Sequence, residues 1–187
     1  HVDVQGANIV SGFSAAIPNT AGKMVLGAFA EAGFGSYDSF NSFSQASNIT
    51  ANGSTRYYGA GMLGHQEFAN GMYIDGSLRA GRVESSYRST DLENALGHST
   101  SFDSNRTYYS AHMGLGKTLK VSQQGSLDMY TKLFYTRQNA DNITIFGDPF
   151  TFDAITSRRA RLGLRYSHKT SDTMQIYAGL AFDREFN

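Results

Sequence analysis

Residues 159–166 read RARLGLRY, and an apolar side chain stands at every second position of this stretch. Leu162 and Leu164 fall on one parity, while Arg161 and Arg165 fall on the other. Successive side chains of a β-strand point to opposite faces of its sheet, so a period of two separates the apolar residues from the charged ones. The stretch therefore predicts a strand with one apolar and one polar face.

The same alternation recurs along the whole chain. It is clear in the later segments and weaker in the first three, and the segments are about 2–16, 23–37, 54–67, 72–80, 109–115, 127–135 and 174–182. With 159–166 they predict about eight strands. Extended to the predicted connections, these strands are roughly 12–17 residues long, more than the five or six typical of globular proteins. A tilted strand needs about 9–11 residues to cross a bilayer, so strands of this length are long enough to span one.

The predicted connections alternate between short and long. In chain order they are 17–22, 38–53, 68–71, 89–105, 122–125, 139–156 and 169–173. Tight reversals at one end and loose ones at the other are typical of outer-membrane barrels, which have short periplasmic turns and long extracellular loops. The pattern predicts an all-β fold, an antiparallel up-and-down transmembrane β-barrel. Alternation alone does not exclude a soluble barrel, in which the apolar face would point inward around a ligand.

Composition narrows the function classes. The 187 residues carry 16 Lys+Arg and 16 Asp+Glu, and this zero net charge gives no reason to expect a nucleic-acid partner. Cysteine is absent, which excludes disulfides and thiolate metal sites. Glycine and tyrosine on the polar parity, and aromatic residues near the predicted strand ends, favour a membrane barrel with interfacial girdles. The alternative is that aromatic residues simply favour strands.

The two parities give candidate residues for each face of the barrel. The candidate lipid-facing residues are Met72, Ile74, Leu78, Met113, Leu115, Leu127, Met129, Leu133, Leu162, Leu164, Ile176 and Leu180. The candidate lumen-lining residues are Glu31, Asp75, Arg79, His112, Asp128, Lys132, Arg159, Arg161, Arg165 and Asp183. Charges removed from water need partners, so we expect these side chains to form a network with a structural or a transport role.

No segment predicts catalysis, a cofactor or a metal site. Residues 59–64 match G-x-G-x-x-G, but that motif binds dinucleotides only where a strand ends and a helix begins, and here it lies inside a predicted strand. The five histidines lack metal-ligand spacing, and there is no G-x-S-x-G nucleophile motif. We therefore expect a protein that is not an enzyme.

Four segments, residues 27–41, 55–89, 107–138 and 146–172, closely resemble the β-barrel translocator domain of bacterial autotransporters, the type V secretion proteins. The resemblance implies a twelve-stranded outer-membrane barrel that anchors and exports an N-terminal passenger to the cell surface, where such passengers serve virulence or adhesion. It also implies a helix in the pore, insertion by the barrel-assembly machinery and contact with outer-membrane lipid. Arg79, Arg159 and Arg161 match positions whose charges hold the pore helix in that family.

Residues 1–187 are accordingly expected to be a single, partial barrel domain. The chain departs from the family pattern in having no passenger, no pore helix and no final strands. If the short connections lie in the periplasm, the first predicted strand begins outside the cell and the last one ends there. At least one further strand is therefore expected before His1 and one after Asn187. Two alternatives remain: a complete eight-stranded barrel with a structural or adhesive role, and a soluble ligand-binding barrel.

Overall fold

The computed structural model describes residues 1–42, 44, 47–94 and 96–186, and these residues form ten β-strands. The strands are β1 Val2–Asn19, β2 Gly22–Asn41, β3 Ile49–Phe68, β4 Met72–Glu93, β5 Ser99–Lys120, β6 Gly125–Gln138, β7 Asp141–Ile145, β8 Asp148–Phe152, β9 Ile155–Lys169 and β10 Gln175–Phe186. Within the described residues, no helix is long and apolar enough to cross a membrane.

Eight of these strands form one antiparallel sheet in the order β1-β2-β3-β4-β5-β6-β9-β10. Strands β7 and β8 form a separate hairpin between β6 and β9. The predicted all-β up-and-down arrangement is confirmed. In the described part of the chain β1 and β10 do not pair with each other, and both are exposed along their whole length.

Strands β1 to β5 are longer than the sequence predicts. Strands β2 to β5 have 20, 20, 22 and 22 residues, and they take up most of the predicted loops 38–53 and 89–105. Hydroxyl side chains explain the extension, because they form hydrogen bonds across the ladder where apolar packing ends. Ser89 Oγ, for example, donates to the Thr50 carbonyl at 2.6 Å. Residues 43, 45, 46 and 95, within those predicted loops, lie outside the described residues, as does residue 187.

The last of the three long predicted connections, residues 139–156, contains the β7–β8 hairpin. Phe146 and Gly147 both have positive φ, at 56° and 93°, as a type I′ turn requires. The connections still differ between the two ends of the sheet. The end with residues 20–21, 69–71, 121–124 and 170–174 is called the turn end, and the opposite end, with 42–48, 94–98 and the hairpin, is called the loop end.

The two faces of the sheet differ in chemistry and in burial. The polar face carries Glu31, Tyr73, Tyr108 and Asp128, all of them buried. The opposite, apolar face carries exposed aliphatic side chains, and Leu78, Met113 and Leu162 are 63%, 62% and 61% exposed. In a water-soluble protein the apolar side chains would be the buried ones. The burial in this sheet is the reverse of that arrangement.

Large side chains of the polar face lie over glycines of the neighbouring strand. The ring of Tyr130 on β6 covers Gly163 on β9, where a Cβ would stand 2.1 Å from Tyr130 Cζ. Tyr73 on β4 covers Gly116 on β5 in the same way, with a corresponding distance of 2.3 Å. Any larger residue at these two positions would collide with the ring, so the glycines let the crowded polar face pack.

Candidate functional site

The polar face gathers its charged side chains into four clusters, each centred on one carboxylate. Strand pairing places residues of like parity on one face, and the glycines between them leave room for side chains to reach across an intervening strand. The four carboxylates are those of Glu31, Asp75, Asp128 and Asp183.

The Glu31 cluster joins three strands. Arg79 Nη1 on β4 donates to Glu31 Oε2 at 2.9 Å, and the Tyr108 hydroxyl on β5 donates to Oε1 at 2.6 Å. The Glu31 side chain is only 4% exposed. A buried carboxylate is strongly destabilising when unpaired, so the two donors offset the cost of burying this group.

The Asp75 cluster places an imidazole and an ammonium group on one carboxylate. His112 Nε2 lies 3.0 Å from Asp75 Oδ1, and Lys132 Nζ lies 3.0 Å from Oδ2. The other ring nitrogen of His112, Nδ1, hydrogen-bonds with Ser77 Oγ at 2.6 Å. Asp75 sits on β4, His112 on β5 and Lys132 on β6, so the cluster links three consecutive strands.

The Asp128 cluster lies nearest the turn end. Arg165 Nη2 on β9 donates to Asp128 Oδ2 at 3.1 Å, and these two residues face each other directly in the β6–β9 register. The Tyr73 hydroxyl, two strands away, donates to Oδ1 at 2.8 Å. The buried carboxylate therefore has a charged and a neutral donor.

The Asp183 cluster lies on the edge strand β10. Arg161 contacts Asp183 through two parallel bonds, from Nε at 2.9 Å and from Nη2 at 3.0 Å, the bidentate geometry that suits a guanidinium and a carboxylate. Arg159 is farther away, with its Nε 3.7 Å from Asp183 Oδ1. Its guanidinium lies 5.0 Å from the centre of the Phe134 ring.

All ten candidate lumen-lining residues lie on the polar face and take part in these clusters, while all twelve candidate lipid-facing residues lie on the apolar face. Which face meets water and which meets lipid stays a prediction. Sequence reasoning missed Tyr73, Tyr108 and Ser77 as partners. The signal that could have found the two tyrosines is their parity, which they share with the charged residues of their own strands.

Comparison of the chain with models of known protein families identifies its family. The family model described as Autotransporter beta-domain matches residues 2–187. The chain belongs to the autotransporter β-domain family. No curated protein matches it at a significant level. As a member of this family, the chain is an outer-membrane translocator domain of type V secretion. The resemblance to autotransporter β-barrel domains that the sequence indicates is confirmed.

Solved structures share the fold at low sequence identity. The β-domain of the Bordetella autotransporter BrkA matches with a TM-score of 0.80 and 17% identity over 99% of this chain and 73% of that one. The translocator domain of the autotransporter NalP from Neisseria meningitidis gives 0.76 and 18%, over 100% of this chain and 62% of its own. The transport unit of AIDA-I from Escherichia coli gives 0.51 and 13%, over 98% and 76%. The chain thus spans less than two thirds of the NalP domain.

Proposed function

We propose that this chain forms the wall of a barrel that anchors a passenger, part of the same parent protein, and exports or displays it at the cell surface. In this arrangement the polar face lines a water-filled lumen and the apolar face meets lipid. The observation that carries the proposal is the reversed burial: aliphatic side chains such as Leu78 are exposed on one face, while carboxylates such as Glu31 are buried and paired on the other.

The charge clusters suit a lumen wall without catalysis. Each carboxylate is paired with a basic side chain from the adjacent strand or from the next strand but one, which links the strands of the wall. Arg159 and Arg165 remain 43% and 54% exposed, so their unused N–H groups face the lumen. They can donate to the carbonyls of a polypeptide in transit or to a helix held in the pore.

Both sheet edges need partners in such a membrane wall. Lipid cannot satisfy the free N–H and C=O groups of β1 and β10, and therefore we infer that further strands of the parent protein pair with them and close the barrel. Residues 1–187 are then one partial barrel domain. Insertion by the barrel-assembly machinery and contact with outer-membrane lipid belong to the same proposal. A complete eight-stranded barrel is less favoured, since β1 and β10 are not paired with each other.

Adjacent residues on opposite faces give a direct test. A photo-crosslinking amino acid is placed at Ser77, on the polar face, or at Leu78, on the apolar face, in the full-length natural protein. During export we expect the passenger to crosslink from position 77 and not from position 78. Export is measured independently, by protease treatment of intact cells. Exported passenger without crosslinks from position 77, or crosslinks mainly from position 78, would overturn the proposal.

A further inference from the structure

The apolar face has a repeated pair of residues near its loop end. A tyrosine on one strand stands directly opposite an arginine on the next: Tyr58 opposite Arg82, Tyr109 opposite Arg137, and Tyr135 opposite Arg158. All six side chains are exposed. These three pairs are called the Tyr–Arg row. It runs across five strands of the sheet, β3 to β6 and β9, and is therefore a property of the face and not of one strand.

The Tyr–Arg row marks the border of the uncharged part of the apolar face. On β5 the apolar-face residues between Tyr109 and Lys117 are Ala111, Met113 and Leu115. This interval is about nine residues, which agrees with the roughly 9–11 that a tilted strand uses to cross a bilayer. Tyrosine favours the membrane–water interface. The row therefore lies at the depth of the lipid headgroups on the loop-end side.

The arginines of the row have no partner in the described part of the chain. None of the guanidinium groups of Arg82, Arg137 and Arg158 makes an ion pair or a side-chain hydrogen bond there. The polar face differs sharply, because Arg79 and Arg165 are each held by a buried carboxylate. Three cations at a membrane border, each opposite a tyrosine in the strand register, are complementary to an anion in the headgroup layer.

We propose that the Tyr–Arg row binds the phosphate monoesters of an anionic lipid, lipid A, in the leaflet at the loop end, in preference to the phosphodiesters of zwitterionic lipids. The planar guanidinium matches two phosphate oxygens at once, and the tyrosine hydroxyl can donate to a third. The inference rests on the proposed function, which turns the apolar face toward lipid. Arg56 lies on the same face but stands opposite Glu84, whose carboxylate would repel a phosphate, so Arg56 is not part of the row.

The test measures binding of diphosphorylated lipid A to the full-length natural protein in phosphatidylcholine nanodiscs. The triple variant Arg82→Gln, Arg137→Gln, Arg158→Gln should weaken this affinity on the order of a hundredfold, since each basic side chain near the surface contributes about 1 kcal/mol. Each single variant should weaken it roughly fivefold, which keeps the proposal testable if the triple variant fails to fold.

One control variant and the readout of insertion and export separate the possible failures. The triple variant Lys23→Gln, Lys120→Gln, Lys169→Gln removes the same charge at the turn end and should leave lipid A affinity within about twofold of the natural protein. Unchanged affinity in the arginine variants, or equal loss in the lysine variant, overturns the inference. If the protein inserts and exports its passenger but does not prefer lipid A, only the inference fails. If it does not insert into any bilayer, the proposed function fails, and the inference with it.

Discussion

Arg79 Nη1 on β4 lies 2.9 Å from Glu31 Oε2 on β2, and the two side chains meet above β3, which separates their strands. Gly59 and Gly61 are the β3 residues beneath this contact, and neither carries a side chain that would block it. With the Tyr108 hydroxyl, the pair connects strands that share no backbone hydrogen bonds. The polar face is therefore held together across the sheet as well as along its ladders.

Removing the Glu31 carboxylate should destabilise the folded domain. Glu31→Ala leaves the Tyr108 hydroxyl and the Arg79 guanidinium without their shared acceptor, and we expect a loss of about 1–3 kcal/mol. The measurement is the urea midpoint of the full-length protein in detergent. Glu84→Ala is the matched control, because that carboxylate is exposed on the apolar face. Equal losses in the two variants would show that the Glu31 cluster is not stabilising.

A side chain at Gly163 should disrupt the polar face. Gly163→Ala puts a Cβ 2.1 Å from Tyr130 Cζ, and overpacking of this kind costs about 1–3 kcal/mol. Gly64→Ala is the control, since its nearest neighbour, Leu26 Cδ2, would be at 3.5 Å, an ordinary contact. Thermal unfolding, followed by the heat-dependent change in gel mobility, compares the two. A Gly64 variant that is the less stable of the pair would contradict the prediction.

The loop end should show a pH-dependent contact. Asp91, outside the apolar band, accepts hydrogen bonds from the hydroxyl and backbone N–H of Thr50, and these lower the pKa of Asp91 below its usual 3.8. The unfolded chain then binds the proton first, so the stabilisation is complete above pH 3.8 and is lost as the pH falls through the lower folded-state pKa. The NMR shift of the Thr50 amide should titrate below 3.8, and Asp91→Asn should remove the step. A midpoint above 3.8 would contradict this.

Charge on the apolar face should be costly in a depth-dependent way. Leu162→Arg, within the uncharged band of β9, is expected to cost about 2–4 kcal/mol in a bilayer. Thr156→Arg, on the same face of β9 at its loop end, is expected to cost about 0–1 kcal/mol. Folding titrations into lipid vesicles measure both. If Leu162→Arg were as mild as Thr156→Arg, the apolar face would not be the one that meets lipid.

The strands and the two faces could be predicted because a period of two is local information. Leu162 and Arg161 are adjacent, and their opposite facing needs nothing beyond strand geometry. The partners within each cluster could not be predicted in this way. Asp75 meets Lys132, 57 positions away, only because the register of β4, β5 and β6 aligns them, and register is a property of the assembled sheet.

The positions of the strand ends could not be predicted from the local alternation of residues either. Near the loop end, the alternation of apolar residues stops, yet the ladder continues because Ser and Thr hydroxyls bond across it, as Ser89 Oγ does to the Thr50 carbonyl at 2.6 Å. Sequence patterns treat such hydroxyl-rich stretches as loops. The tyrosine partners of Glu31 and Asp128 were missed for another reason, since their hydroxyls reach the carboxylates across intervening strands.

The central claim is that the polar face lines water and the apolar face meets lipid. Ser110 and Ala111 are neighbours on β5 with opposite facing, and residues 1–187 have no cysteine of their own. A spin label is attached to Ser110→Cys or Ala111→Cys in the full-length natural protein, otherwise free of cysteine, in a lipid bilayer. Its collision rates with oxygen and with a water-soluble nickel chelate are then measured. We predict that the label at 111 meets oxygen and the label at 110 meets the nickel chelate; the reverse pattern would contradict the account.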